Sequence, residues 1–269
     1  LSSPETTATA PATATEVPET PVRRRARRQK IFDLAERVPR KDTFDDVDEC
    51  RAYDRNIRTS MIIPMQHMMK LIGPYCTGGK DVLEVGCASG LISLRLAAQH
   101  PDSLFTGVDN NDAFLEVARE NTIFANLVGY GGDFGCEWAR LSRLPYEDDS
   151  FDVVFSFCAV ARWDKPERIV AECARVCRPG GIVVLYDLAR DAEEGMVSFV
   201  LQYADGDAAE FMDSLRASFS EPEMRRLLAE RGLESWTVAK ENINLITSSR
   251  PLNVGYTVGE PGIYNNDTA

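Results

Sequence analysis

The 269-residue chain is 44% hydrophobic and 27% charged, a balance that suits one large α/β domain with decorations or two small domains. Its formal net charge is −12, yet residues 1–30 carry six basic and three acidic groups, so the rest of the chain stands at −15. That acidic body argues against nucleic-acid or anionic-membrane substrates, whose phosphates it would repel, and no apolar run approaches the length of a bilayer span.

Leu1 to Pro21 is a Thr/Ala/Pro/Glu mixture without periodicity, for which disorder is expected. The basic run Arg23–Arg28 reads as a solvated linker, with an acidic protein partner, nuclear targeting or an organelle presequence as the other readings. Residues 1–30 are therefore set apart as a tail, 31–78 as an N-terminal helical arm or lid, 79–250 as the main domain and 251–269 as a second tail. Within the arm, Val47 to Ile72 has helical spacing, and Pro64 predicts a break into two helices. Met61, Met65, Met68 and Met69 give this arm a face that either packs on a sheet or lines a greasy pocket.

Strands are predicted near 81–86, 104–109, 135–140, 151–158 and 181–187, and helices near 90–99, 111–125 and 166–177. The alternation implies a Rossmann-like, doubly wound parallel sheet with helices on both faces. Residues 191–218 read as an acidic, partly helical insertion where a lid would sit. Ser220 with Glu221, Pro222 and Glu223 is a helix start, running to Arg231 with Gly232 as its stop. Ser235–Ala239 and Ile243–Ser248 read as a closing strand pair.

The seven cysteines, Cys50, Cys76, Cys87, Cys136, Cys158, Cys173 and Cys177, are odd in number and several lie in apolar runs. They predict free thiols in a reducing compartment, hence a cytoplasmic location. Cys173 and Cys177 share a helix face rather than a metal, and His67 and His100 alone make no zinc site, so no metal is expected.

The stretch richest in chemistry is Asp81–Gly90. Val82, Leu83 and Val85 form an apolar strand, Gly86 breaks it, and after Gly90 the apolar residues Leu91, Ile92, Leu94, Leu96 and Ala97 keep helical spacing. A strand, a small-residue turn and a helix place main-chain N–H groups and a helix N-terminus where a ligand can approach. Ala88 takes the middle place of a Gly-x-Gly-x-Gly pattern. About 20 residues on, the second strand ends at Asp109, an acid suited to vicinal ribose hydroxyls. The other reading is that Asp109 caps the next helix.

Taken in order, Val82–Gly90, Val108-Asp109, Leu144–Phe155 and Arg175–Leu185 resemble the successive motifs of class I S-adenosylmethionine-dependent methyltransferases, nearest to the quinone-type small-molecule branch. The resemblance covers about residues 80–190. It implies a seven-stranded, mostly parallel sheet with an antiparallel C-terminal strand, and S-adenosyl-L-methionine as cofactor. It implies methyl transfer to a small-molecule acceptor through an oxygen, nitrogen or carbon centre. Glu84 corresponds to the family's acid in the first strand. Gly86, Cys87, Ala88 and Gly90 correspond to the turn beside the methionine and ribose, Asp109 and Asn110 to the ribose and adenine contacts, and Phe157 to a contact at the methionine end. Asp48–Asp54 is similar to the arm that packs across the cofactor, which carries the methionine-end tyrosine onto Tyr53.

Two departures from the family are visible. Arg140 stands where an acid reads the adenine amino group, so either Glu137 or a main-chain carbonyl takes that task. Ala161-Arg162-Trp163 stands where the quinone-type branch often has paired histidines, and Arg162 is a candidate for holding an acceptor carboxylate or enolate. Cys158 leaves an arsenite-type methyltransferase as an alternative. A cofactor-binding regulatory subunit without turnover is another.

Overall fold

The computed structural model describes residues 31–40, 44–203 and 208–252. The chain divides into two units, Leu1–Ile31 and Phe32–Ala269, and every element below belongs to the second. The N-terminal tail with its basic run lies outside the described residues, as does the C-terminal tail beyond Leu252.

Seven strands form one sheet in the order β3-β2-β1-β4-β5-β7-β6: β1 (Asp81–Val85), β2 (Leu104–Asp109), β3 (Phe134–Trp138), β4 (Phe151–Phe157), β5 (Cys177–Leu188), β6 (Thr237–Glu241) and β7 (Asn244–Ser248). β1 to β5 pair in parallel, and β7 runs antiparallel to both β5 and β6. The expected sheet, with its single reversed strand, is therefore present. Its central strands are apolar on both faces, as a sheet covered on both sides requires. On β1, Leu83 and Val85 join a core with Ile169, Val170 and Cys173 of α5 (Pro166–Val176). Val82 of the same strand faces the opposite core, with Leu94 of α3 (Leu91–Gln99) and Met65 and Met68 of α2 (Ile62–Ile72).

The helical arm does break in two, α1 (Val47–Ser60) and α2, but the break falls at Met61 rather than at Pro64. Pro64 is the third residue of α2, where its missing N–H would have had no intrahelical acceptor. β3 ends at Trp138, two residues before its predicted end, and β5 begins four residues early, at Cys177. The early start of β5 comes from a register shift: Cys177 faces Phe151, regular pairing resumes at Ile182 opposite Val153, and Pro179-Gly180 bulges between them. The remaining helices are α4 (Asp112–Leu127), α6 (Glu194–Tyr203), α7 (Ala208–Ala217) and α8 (Glu221–Ala229). α6 and α7 occupy the predicted insertion, and α8 starts as expected at Ser220, whose N–H donates to the Glu223 carboxylate at 2.9 Å in a capping box.

An extended strap, residues 32–40, crosses this end of the molecule and is fastened by guanidinium groups. Buried Arg190 donates to the carbonyls of Leu34 (2.7 Å), Ala35 (2.8 Å) and Ser218 (3.1 Å) and pairs with Glu223. Arg37 donates to the carbonyls of Ala217 (2.6 Å) and Ala161 (3.1 Å), and the Val38 N–H donates to Arg216 O at 3.0 Å.

Candidate functional site

Strand order reverses between β1 and β4, and in sheets of this kind the crevice beyond the C-terminal strand ends is where ligands sit. A cleft of about 830 Å³ opens there, at the upper end of the usual range for small-molecule sites. Its floor is the turn after β1. Gly86 has φ +77°, and a Cβ on it would stand 2.8 Å from Ala159 Cβ, so only glycine keeps the turn this close to the β4 loop. Ala88 adopts φ +46° without that freedom, and the strain is held by the bond its N–H donates to Asp109 Oδ2 at 2.8 Å.

Asp109 is buried at the end of β2, and its other oxygen accepts from the Asn111 N–H at 3.0 Å. The cap of α4 is Asn111, whose Oδ1 accepts from the Phe114 N–H at 3.1 Å. The capping reading of Asp109 is thereby corrected: the residue two positions on does that work. Burial pushes the Asp109 carboxyl above the usual range against the pull of its main-chain donors. Glu84, deeper in β1, accepts from the Ser93 hydroxyl (2.6 Å) and N–H (3.2 Å), and burial pushes it up to about 8.

The roof comes from α1 and the strap. Tyr53 and Ile57 on one face of α1, and Met61 at its C-cap, follow at intervals of four and all line the cleft, with Met65 of α2 continuing the row. Tyr53 packs with Phe44 and Phe114 at ring-centroid distances of 5.1 and 5.7 Å. Arg162, on a single 3₁₀ turn after β4, donates to Tyr53 Oη at 3.4 Å and to Glu210 of α7 at 3.2 Å. Arg40 of the strap pairs with the same Glu210. Burial and the neighbouring Arg40 lower the Arg162 pKa. Asp187, at the end of β5, accepts from the Val160 N–H at 2.9 Å and so anchors the turn that carries Arg162; burial pushes it to about 6.

Residues 83–185 match a family described as the methyltransferase domain. This segment is thus similar to a methyltransferase domain. Among curated relatives, the chain is 29% identical to 27-O-demethylrifamycin SV methyltransferase of Amycolatopsis mediterranei, over 61% of this chain and 62% of that one. It is 36% identical to phthiotriol/phenolphthiotriol dimycocerosates methyltransferase of Mycobacterium tuberculosis, over 43% of this chain and 40% of that one. The match thus spans less than two thirds of either relative. A SAM-dependent methyltransferase from Aquifex aeolicus shares the fold, with a TM-score of 0.55 at 16% identity over 76% of this chain and 97% of that one. A Methanococcus maripaludis protein assigned to the same enzymes gives a TM-score of 0.61 at 19% identity, over 78% of this chain and 95% of that one.

Of the residues singled out in the sequence, the sheet and its loops bring Glu84, Gly86, Cys87, Ala88, Asp109, Asn110, Phe157, Cys158 and Arg162 to the cleft, and the arm adds Tyr53. Gly90 does not line it. It heads α3 with φ +73°, and a Cβ there would strike the Phe134 ring at 2.8 Å, so its task is packing. Arg140 is exposed and outside the lining, because β3 ends before it and its position falls in the following turn. Glu137 also lies outside and accepts from the Tyr146 hydroxyl; Leu141 is the lining residue of that segment. Cys158 has φ +52° and a thiol pushed well up by burial. Among the described residues, no group of three His, Cys, Asp or Glu side chains is placed to hold an ion.

Sequence reasoning missed Phe44, Phe114, Trp163 and the strap arginines Arg37 and Arg40, all in the lining. The four-residue spacing of Tyr53, Ile57 and Met61 was a usable signal for the roof. The others are assembled by long-range closure and carry no local pattern.

Proposed function

We propose that the chain binds S-adenosyl-L-methionine in this cleft and transfers its methyl group to a small-molecule acceptor. The observation that carries the proposal is Asp109: a buried carboxylate at the cleft, relieved of helix capping by Asn111, with acceptor capacity left beyond the main-chain bonds it accepts. Gly86 supports it, since a Cβ there would fill the cradle beside the Ala159 loop. When bound, the cofactor supplies an activated methyl group on a sulfonium. The protein's part is to bind, to align and to exclude water. In this reading Asp109 accepts from the ribose hydroxyls, the Gly86–Ala88 turn lies along the methionine portion, and Asn110 with the Leu141 segment borders the adenine. A main-chain group of that segment then replaces the missing acid at Arg140.

The acceptor would lie under α1. Ile57, Met61, Met65 and Phe157 offer it an apolar bed, and Tyr53 and Arg162 offer donors at the other end. This pattern suits an acceptor with an apolar body and an acidic or enolic head. Two relatives are named for acting on 27-O-demethylrifamycin SV and on phthiotriol or phenolphthiotriol dimycocerosates, which supports a small-molecule acceptor. The seven cysteines are all free, which supports a reducing, cytoplasmic setting, and among the described residues no helix is long and apolar enough to cross a membrane.

Calorimetric titration with S-adenosylhomocysteine and with a nicotinamide dinucleotide tests the cofactor. Binding of the first alone is expected; tight binding of the second with no response to the first overturns the proposal. A screen for products carrying an isotopic methyl label then identifies the acceptor.

A further inference from the structure

Four buried side-chain polar atoms among the described residues have no hydrogen-bond partner: Ser156 Oγ, Trp163 Nε1, Thr247 Oγ1 and Arg250 Nε. Of these residues, Trp163 alone lines the cleft. It is 7% exposed, and its ring belongs to the core that also holds Val85, Leu141 and Ala159, so it is fixed rather than free to swing into water. It directly follows the 3₁₀ turn that Asp187 anchors, and its own N–H donates back to Val160 O at 3.3 Å. The indole nitrogen stands over the first glycine of the cleft floor: a Cβ on Gly86 would lie 3.4 Å from it. Indole N–H is a donor only, and a buried donor without an acceptor keeps its full desolvation penalty. The geometry therefore prepares a place for an acceptor atom beside Gly86, and nothing in the described protein fills it.

We propose that the Trp163 indole N–H donates to the carboxylate of the amino-acid portion of the cofactor, which makes Trp163 a positioning residue for the methionine end. The proposal rests on the cofactor reading given above. The place in the fold selects the carboxylate. The Trp163 indole nitrogen meets the turn after β1 at its start, Gly86, whereas Asp109, the group suited to ribose hydroxyls, meets that turn at Ala88. At the Gly86 end the ligand's strong acceptor is its carboxylate. A neutral donor also holds that carboxylate without placing another full positive charge beside a sulfonium, and the cleft already carries Arg162 on the adjacent residue.

The test compares two probes that share a nucleoside and differ in the amino-acid portion, S-adenosylhomocysteine and 5′-methylthioadenosine, titrated calorimetrically against the full chain and its Trp163→Phe variant. The variant is expected to lose roughly 10- to 100-fold in affinity for S-adenosylhomocysteine and about twofold or less for 5′-methylthioadenosine, the range for a bond to a charged group. A second reading uses the wild-type protein and does not depend on the variant folding. The chain has three tryptophans, so its 15N-labelled indole spectrum has three side-chain signals. The Trp163 signal should move downfield with S-adenosylhomocysteine and stay in place with 5′-methylthioadenosine. Equal losses for both probes, or an indole signal indifferent to the carboxylate, would assign Trp163 to shape alone and overturn the proposal. If the wild type binds neither probe, the cofactor reading falls and takes this inference with it.

Discussion

Asp109 and Asn111 sit two residues apart and divide two tasks that either could have performed. Asn111 satisfies the first turn of α4 and also donates to Phe44 O at 2.7 Å, tying the arm to the domain. Asp109 holds the strained Ala88 N–H and faces the cleft. Substitutions should therefore separate them. Asp109→Asn keeps an oxygen for Ala88 but loses the charge, and should weaken S-adenosylhomocysteine by roughly 30-fold or more, as about 2 kcal/mol of charge-assisted bonding implies. Its amide NH2 then faces the Asn111 N–H where a carboxylate oxygen accepted, so about 1–3 kcal/mol of stability goes as well, and the affinity of the folded fraction carries the distinction. Asn111→Ala should cost about 1 kcal/mol of stability through the lost cap, with a much smaller effect on affinity in the folded fraction. Calorimetry and thermal unfolding on the same preparations check both. The reverse pattern would mean that the cleft takes its ligand elsewhere.

At the scale of elements, the two glycines that bound the Gly86–Gly90 turn answer to different neighbours. Gly90→Ala should lower stability by about 1–3 kcal/mol, because a left-handed residue must also displace the Phe134 ring. Gly86→Ala meets the β4 loop instead, and should cost cofactor affinity in addition to stability. Differential scanning with and without S-adenosylhomocysteine distinguishes the two. A third test concerns the strap. Arg190→Met removes donors to Leu34, Ala35 and Ser218 and leaves Glu223 without its cation, so hydrogen exchange at the Val38 amide should speed up while amides of β1 and β4 stay protected. Unchanged exchange at Val38 would show that Arg37 and Arg40 suffice to hold the strap.

These elements also show where sequence reading succeeds. β1, β2, β4 and the turn after β1 were legible because a sheet buried on both faces needs continuous apolar runs, and a tight turn needs glycine at positive φ. Tyr53 was placed by motif resemblance and Arg162 by a departure from it, and both reach the cleft. Arg140 was misplaced because strand ends depend on pairing: β3 stops where β2 stops, with Trp138 opposite Asp109, and sequence alone does not set that limit. Trp163 and Arg190 were silent because their meaning lies in partners far away in the chain, or in the lack of one.

For the whole molecule, the C-terminal edge of the sheet gathers buried carboxyls whose burial outweighs their hydrogen bonds: Glu84, raised to about 8, Asp187, raised to about 6, and Asp109, raised as well. A carboxyl whose pKa is higher in the folded chain holds a proton that the unfolded chain has released. Its contribution to stability is complete below the ordinary carboxylate range and is lost as pH rises through the folded value. Surface-linked acids such as Glu172 and Glu210 are lowered and act in the opposite direction, but only at acidic pH. His67 is lowered too, and its effect ends near its ordinary value of about 6.5. Between roughly pH 6.5 and 8, Glu84, raised to about 8, contributes to the slope. With about 1.4 kcal/mol per pH unit for one proton, the loss of stability that Glu84 contributes across that window is at most about 2 kcal/mol. Glu84→Gln keeps an oxygen for the Ser93 donors and has no proton to lose, so its stability should be nearly flat over the same range. Urea unfolding of both proteins at half-unit steps from pH 6 to 8.5 measures the difference. Parallel curves would show that Glu84 is ionised in the fold, with its charge met by a group or a water that burial has drawn in.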